Sequence, residues 1–443
     1  MVNIKSKNQR QHNHYPVSFI SSVKITFWFF YELISNIPAL YSMNRFYKTR
    51  KTNPSRPNVA LIGDNLDEVN GIALSTRSFV RAMHRKNRPV FLIGVAFHNK
   101  PARMETAHGG NIIMLPARCS MEQVGYQGSE SAIPNISLML RLLKRYPIDL
   151  IELESPGGVG MLILLTARII GIKTVTHYRT DLPAYFKKLI HNRLGRSALK
   201  TWVTCFTRYG GPVIVPSNAF KKKIIDMGVP AKNIFKLPRG VHATMFHPDK
   251  KNNGAWERFT SDLPGTRIIY MGRISREKNL SILVEALPRL LEMRNEINLT
   301  LVGEGPYRKE MESRLKPTGK VGFTGVLRGN DLAGVLAAAD IMVFPSTTDT
   351  FGNTVIEALG CGVPCIVSDE GGPQEIIENH KSGLIFHADD VQDFIEKLLF
   401  LVDNPDKLEE FKVEARQRAL KFTYENSIDK FWEFYCRMVS SNS

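Results

Sequence analysis

The chain is poor in cysteine, and none of its cysteines has metal-ligand spacing. The five, Cys119, Cys205, Cys361, Cys365 and Cys436, are scattered. Cys361 and Cys365 lie four apart, but no second pair of Cys or His completes a site. Buried thiols in a reduced cytosolic compartment are the reading that follows. An unbroken apolar run of about 20 residues, the length a spanning helix needs, is also missing. No zinc-finger spacing and no basic stripe with interleaved aromatics marks a nucleic-acid module. Acid is scarce at the amino end: residues 1–58 hold nine Lys/Arg against Glu32 alone, a local balance of +8 within a total of +17. Such an excess favours phosphate-rich partners, an anionic membrane or a nucleotide among them.

Composition is otherwise globular, with 43% hydrophobic and 23% charged residues among 443, enough for two domains and an extension. The boundaries read as an amino-terminal extension over 1–57, a first domain over 58–240, a linker over 241–262 and a second domain over 263–443. Residues 1–16 are polar and basic and read as disordered. Residues 17–43 are apolar and aromatic, interrupted by Lys24, Glu32 and Pro38. Three readings stand: a helix lying in a membrane interface with Trp28 and Tyr31 at headgroup level, a helix packed on the protein's own surface, or a true anchor. No small-x-small cleavage site follows cleanly, which argues against a signal peptide.

From Val59 onward, short β-branched runs alternate with helical segments. The runs at 59–63, 89–96, 112–115, 149–154, 173–178 and 212–217 predict strands, as do those at 267–272, 299–303, 321–325, 341–346 and 364–369. Their continuous apolar character predicts parallel sheets covered by helices on both faces. The expected fold is therefore α/β, with two Rossmann-like, doubly wound domains facing a cleft at the strand carboxyl ends. Residues 405–440 read as helical and charged, capping the second domain or crossing back to the first.

Phe344–Ile376 carries the most chemistry. It reads as strand, Gly-centred turn, helix, strand and second Gly-rich turn, with Asp349 and Glu357 on either side of Gly352. Backbone N–H groups at such a helix start suit an anionic ligand. Upstream, Gly272 allows a tight turn after a strand, and Arg273 and Lys278 follow on the loop. They make either a diphosphate clamp or a solvated basic loop. Gly303 and Gly305 allow close backbone approach after the next strand.

MGRISREKNL, LVGEGP and TDTFGNTVIEALGCGVPCIVSDEGGPQE together resemble the donor domain of retaining glycosyltransferases of family 4 (glycosyl transferases group 1), which have the GT-B fold. DNLDEVNGIA, THYRTDLPAYF and RGVHATMFHP are similar to the family's amino-terminal loop, acceptor-side loop and inter-domain segment. The resemblance spans about Val59 to Leu384. It implies that Arg273 and Lys278 hold the donor diphosphate, that Glu357 takes the ribose hydroxyls, and that Gly71, Gly303 and the backbone of Phe351, Gly352, Asn353 and Thr354 contact the donor. Asp349 stands at the first acidic position of the family's E-x7-E pair, one methylene shorter than the usual Glu. Arg179 replaces the common His before Thr180-Asp181, and cannot act as a general base. His177, two residues earlier, is either an acceptor-side residue with Asp181 or a core histidine. His242 stands where the family often has Asp.

The resemblance further implies retaining transfer of a hexosyl group from a UDP- or GDP-linked sugar to a lipid or glycan acceptor at the cytosolic membrane face. It implies no cofactor beyond the nucleotide sugar and no metal, and no D-x-D-like motif stands out. Lys187–Arg208 holds six Lys/Arg and no acid among apolar residues, which suits a basic amphipathic helix for an anionic membrane or an ordinary surface helix. A soluble transferase on a small acceptor, a nucleotide-sugar isomerase and a non-catalytic nucleotide-binding scaffold are the competing readings.

Overall fold

The computed structural model describes residues 19–64, 71–96, 103–105, 111–122, 130–181, 183, 192–260 and 263–441. It divides into two compact units, one of residues 1–174 with 439–443 and one of residues 175–438. The basic residues 1–16, the loop at 65–70 and the stretch 184–191 lie outside the described residues.

The first unit contains α1 (Phe19–Ser35), α2 (Ile37–Thr49), β1 (Val59–Ile62), α3 (Gly71–Arg85), β2 (Val90–Ala96), β3 (Arg103–Glu105), β4 (Asn111–Glu122), β5 (Glu130–Pro134), α4 (Ile136–Arg145), β6 (Leu150–Leu153) and α5 (Gly158–Ile170). Its sheet order is β3-β4-β2-β1-β6, with β5 added to β4. The inner pairs are parallel, and β3 and β5 run antiparallel to β4. Every residue of β1, β2 and β6 is buried; β1 and β2 are unbroken apolar runs, and β6 carries the buried Glu152 among Leu150, Ile151 and Leu153.

The amino-terminal segment folds as two helices. The break falls at Asn36, and Pro38 sits in the first turn of α2, where a missing N–H costs no hydrogen bond. Leu40 and Met43 are buried, and Tyr47 Oη donates to the Leu143 carbonyl at 3.1 Å. Glu32 explains the lone acid of this segment. It is buried, it pairs with Arg118 Nε at 2.7 Å, and it accepts from the Ile136 N–H at 2.8 Å. It thus stabilises the positive end of α4. Among the described residues no helix is long and apolar enough to cross a membrane.

The second unit opens within β7 (Lys173–His177) and continues through α6 (Arg193–Tyr209), β8 (Val213–Val215), α7 (Asn218–Asp226), β9 (Ile234–Lys236) and α8 (Ala255–Phe259). Then follow β10 (Thr266–Met271), α9 (Ser281–Met293), β11 (Ile297–Val302), α10 (Arg308–Leu315), β12 (Val321–Gly325), α11 (Gly329–Ala337), β13 (Ile341–Phe344), α12 (Asn353–Gly360), β14 (Cys365–Ser368), β15 (Gly383–Phe386), α13 (Val391–Val402), α14 (Pro405–Leu420) and α15 (Tyr424–Ser440). Strands β7, β8 and β9 pair in parallel. Strands β10 to β15 form an all-parallel sheet in the order β12-β11-β10-β13-β14-β15. Helix α15 lays Phe431 against His177 and Phe434 against Phe235, with ring centroids 5.8 and 5.0 Å apart.

Candidate functional site

The order of the second sheet reverses between β10 and β13, the two parallel central strands from which the chain proceeds toward opposite edges. Doubly wound sheets open a crevice at that point, outside the carboxyl ends of the strands. The loops after these two strands carry the charged residues singled out in the sequence. After β10 come Gly272, Arg273 and a 3₁₀ turn at Arg276–Lys278; after β13 comes Asp349.

Glycine sets the first loop. Gly272 has φ +157° and Gly303 has φ +141°. A Cβ on Gly303 would stand 2.0 Å from the Gly272 carbonyl oxygen, so the loops after β10 and β11 touch backbone to backbone. Tyr270, fully buried in β10, donates its hydroxyl to the Arg273 carbonyl at 2.9 Å and fixes the loop where the chain leaves the sheet. Arg273 itself is exposed. Lys278 points to the neighbouring loop, its Nζ 2.8 Å from Asp349 Oδ2. Both side chains are about a fifth to a quarter exposed, so a solvent-borne anion can reach them.

The second loop delivers a helix start. Gly352 occupies the N-cap position of α12 with φ +99°, and no side chain caps the helix. Its first N–H groups therefore have no partner from a cap and carry the positive end of the dipole. Phe351 is buried beneath this turn and Asn353 is exposed. Thr354 Oγ1 is buried with no hydrogen-bond partner in the protein. Glu357 lies one turn further along α12, and burial pushes its carboxyl up to about 8. A carboxyl in that state gains from hydroxyl donors that a ligand brings.

Four residues outside the sequence-derived set hold this loop in place. Thr350 Oγ1 donates to the Arg179 carbonyl at 2.9 Å, and Ser217 Oγ donates to the Thr350 carbonyl at 3.0 Å. Glu375 accepts from the N–H groups of Asn218 and Ala219 at 2.9 and 2.8 Å, at the start of α7. Lys223, on the same helix, pairs with Asp181 at 2.7 Å. The segment bearing Arg179 and Asp181 is thereby tied to the loop bearing Asp349. Ser217 had a readable signal as the N-cap of a helix, and its Oγ also accepts from the Phe220 N–H at 3.4 Å. Glu375 and Thr350 carried no signal that named their partners, which lie more than 130 residues away in sequence.

Asp181 is buried and also accepts from Tyr178 Oη at 3.3 Å. Burial first, and the Asp181 carboxylate second, raise the Tyr178 phenol above its ordinary value. His177 is buried at the end of β7 with its ring on Phe431. His242 packs its ring on Tyr424, with centroids 3.8 Å apart. Gly71 is the first residue of α3, and the loop before it lies outside the described residues.

Residues 69–244 match Glycosyltransferase Family 4, and residues 257–418 match Glycosyl transferases group 1. A GDP-mannose-dependent alpha-mannosyltransferase of Corynebacterium glutamicum is 30% identical over 310 residues, 69% of each chain. The chain belongs to glycosyltransferase family 4. It is a glycosyltransferase acting on nucleotide sugars. The alpha-monoglucosyldiacylglycerol synthase of Streptococcus pneumoniae is 25% identical over 385 residues, 85% of this chain and 84% of that one. The solved structure of Anabaena Alr3699/HepE in complex with UDP superposes with a TM-score of 0.65 at 18% identity, covering 85% of this chain and 98% of that one. That likeness concerns the fold, which is GT-B.

Proposed function

We propose that this family 4 enzyme transfers a hexosyl group, with retention, from a UDP- or GDP-linked sugar to a lipid or glycan acceptor at the cytosolic membrane face. The observation that carries the reading is the Lys278–Asp349 pair at the switch point, set beside the uncapped start of α12. In this reading the diphosphate takes Lys278 and Arg273 as counter-charges and the α12 N–H groups as donors. The Glu357 carboxylate receives the ribose hydroxyls. Asp349, released from Lys278, turns to the sugar. Phe351, Gly352, Asn353, Thr354 and Gly303 line the donor, and Gly71 is a further donor-binding residue in this reading.

The reaction breaks the bond between sugar C1 and the diphosphate oxygen, and the nucleotide diphosphate leaves with the electron pair. The acceptor oxygen bonds to C1 on the same face, and its proton passes to a diphosphate oxygen. The protein supplies positioning and charge rather than a covalent nucleophile. Arg273 and Lys278 do the neutralising that a metal ion does elsewhere, so the reading needs no resident cofactor. Arg179 holds a phosphate or sugar oxygen, and Asp181 and His177 shape the acceptor side. The relative named for alpha-monoglucosyldiacylglycerol supports a lipid acceptor, and the one named for GDP-mannose supports a guanosine donor.

The test is Lys278→Ala, assayed for sugar transfer from UDP- and GDP-hexoses to a membrane lipid extract, with the anomeric configuration of the product read by NMR. The expected result is a folded protein with turnover lowered by at least about 100-fold, as for removal of one preorganised charge from a transition state. Near-normal turnover in that variant would sink the assignment.

A further inference from the structure

An ordinary surface helix buries its apolar side and shows its polar side to water. Helices α1 and α2 bury Leu40 and Met43, yet they also leave a large apolar face open. Their inner side also holds polar groups: the Glu32 carboxylate, paired with Arg118 of β4, and Asn36, whose Oδ1 accepts from Ser137 Oγ at 2.6 Å. Their outer side shows Phe27, Phe30, Tyr31, Ile34, Ile37 and Tyr41, between 46% and 76% exposed. The first four follow a spacing of three, one and three residues, a single stripe along α1. Leu165 and Ile169 of α5 are also exposed, and the Ile169 carbonyl accepts from Asn44 of α2 at 2.7 Å, which places these residues beside the same patch. A contiguous aromatic and aliphatic face of this kind marks an interaction site.

Charge decides the partner. Glu32 is the one acid of α1 and α2, and it is buried and paired inward. Arg45 and Lys48 are exposed on α2, and Lys51 follows it. Aromatic rings between an apolar stripe and a cationic margin suit the interface of a lipid bilayer, where ring edges meet headgroups and Lys/Arg meet anionic lipid. We infer that the outer face of α1 and α2 is a docking surface for an anionic membrane, entered to the headgroup boundary and not spanned. This deepens the proposed function by naming the surface that brings the enzyme to a lipid-borne acceptor. The observation of the patch stands apart from the donor site.

The experiment is flotation of the full chain with vesicles of phosphatidylcholine alone or with phosphatidylglycerol. It compares the wild type, Phe27→Ser/Phe30→Ser/Ile34→Ser/Tyr41→Ser, and Arg45→Glu/Lys48→Glu. Thermal shift with UDP and GDP runs in parallel, and sedimentation reports the oligomeric state. The expected result is that the wild type floats with anionic vesicles, both variants float at least tenfold less, and all three give the same nucleotide shift. A wild type that fails to float overturns the inference, as does a serine variant that floats equally well. So does a wild-type dimer that the serine variant dissolves, because a second copy would then cover the patch. Flotation without a nucleotide shift would keep the membrane surface and remove the transferase reading instead.

Discussion

Glu357 is the residue whose chemistry reaches furthest. A half-buried carboxyl raised to about 8, from an ordinary 4.5, keeps its proton near neutral pH in the free chain. Folding therefore gains from it fully below about 4.5, and loses that gain as pH rises through about 8. Ribose hydroxyls favour the charged form, so nucleotide binding should release a proton. Affinity for UDP or GDP is expected to rise with pH up to about 8 and to level off above it. Calorimetry in buffers of different ionisation enthalpy reads the released proton directly. Glu357→Gln should flatten the component of the pH profile that belongs to this carboxyl and abolish its proton release. An unchanged profile would assign the pH dependence to the ligand's own phosphate. Asp349 adds a second residue-scale outcome. Asp349→Glu restores the side chain usual in family 4, and the longer arm should raise turnover or alter donor preference without loss of fold, measured across a panel of nucleotide sugars.

At the scale of elements, the loop after β13 is held from outside its own sheet. The Glu375 carboxylate fills the start of α7, and Thr350 is clasped between Ser217 and the Arg179 carbonyl. Charge-assisted bonds of this type contribute about 1.5–3 kcal/mol each when the partner is otherwise left bare. Glu375→Ala is therefore expected to speed hydrogen exchange at the Asn218 and Ala219 amides by tenfold or more, while Glu375→Gln has a smaller effect. Protection equal to wild type would show that water replaces the carboxylate at no cost. These ties also mark where sequence reading stops. The strands β10, β11, β13 and β14 were legible because buried parallel strands are rich in apolar and β-branched residues, and β12 was expected at the residues it occupies although all five are only partly buried. Glycines 272, 303 and 352 were legible because their loops demand a missing Cβ. Strands β9 and β15 were not expected, and neither were β3 and β5, since RME and ESAIP carry no β-branched run and gain their place by antiparallel pairing with β4. Glu375 was visible inside a motif, yet its partner is set by tertiary folding alone.

At the scale of the whole chain, the amino-terminal extension is part of the first unit's architecture. Sequence composition left open whether residues 17–43 pack, lie on a membrane or anchor in one, because an apolar aromatic helix satisfies each. The inward network resolves the packing: Glu32 at the start of α4, Tyr47 between the Leu143 carbonyl and the Ile148 N–H, and Arg50 on Asp149 at 2.8 Å. Removing one partner of a buried pair leaves the other charged or bare, which costs more than the pair contributes. Deleting residues 1–50 should therefore loosen α4 and β6, beyond any effect on membrane recovery. Hydrogen exchange measured with and without nucleotide separates the two effects. The deletion is expected to lower protection in α4 and β6, while the amides at the start of α12 still gain protection from UDP or GDP. Saturation at 100 times the dissociation constant stabilises by about 2.7 kcal/mol, which is readable in the exchange of that helix. Intact protection of α4 after deletion would show that α1 and α2 ride on the unit without supporting it. Point variants on the outer face are for this reason the sounder test of membrane docking than truncation, since they leave the Glu32 network in place.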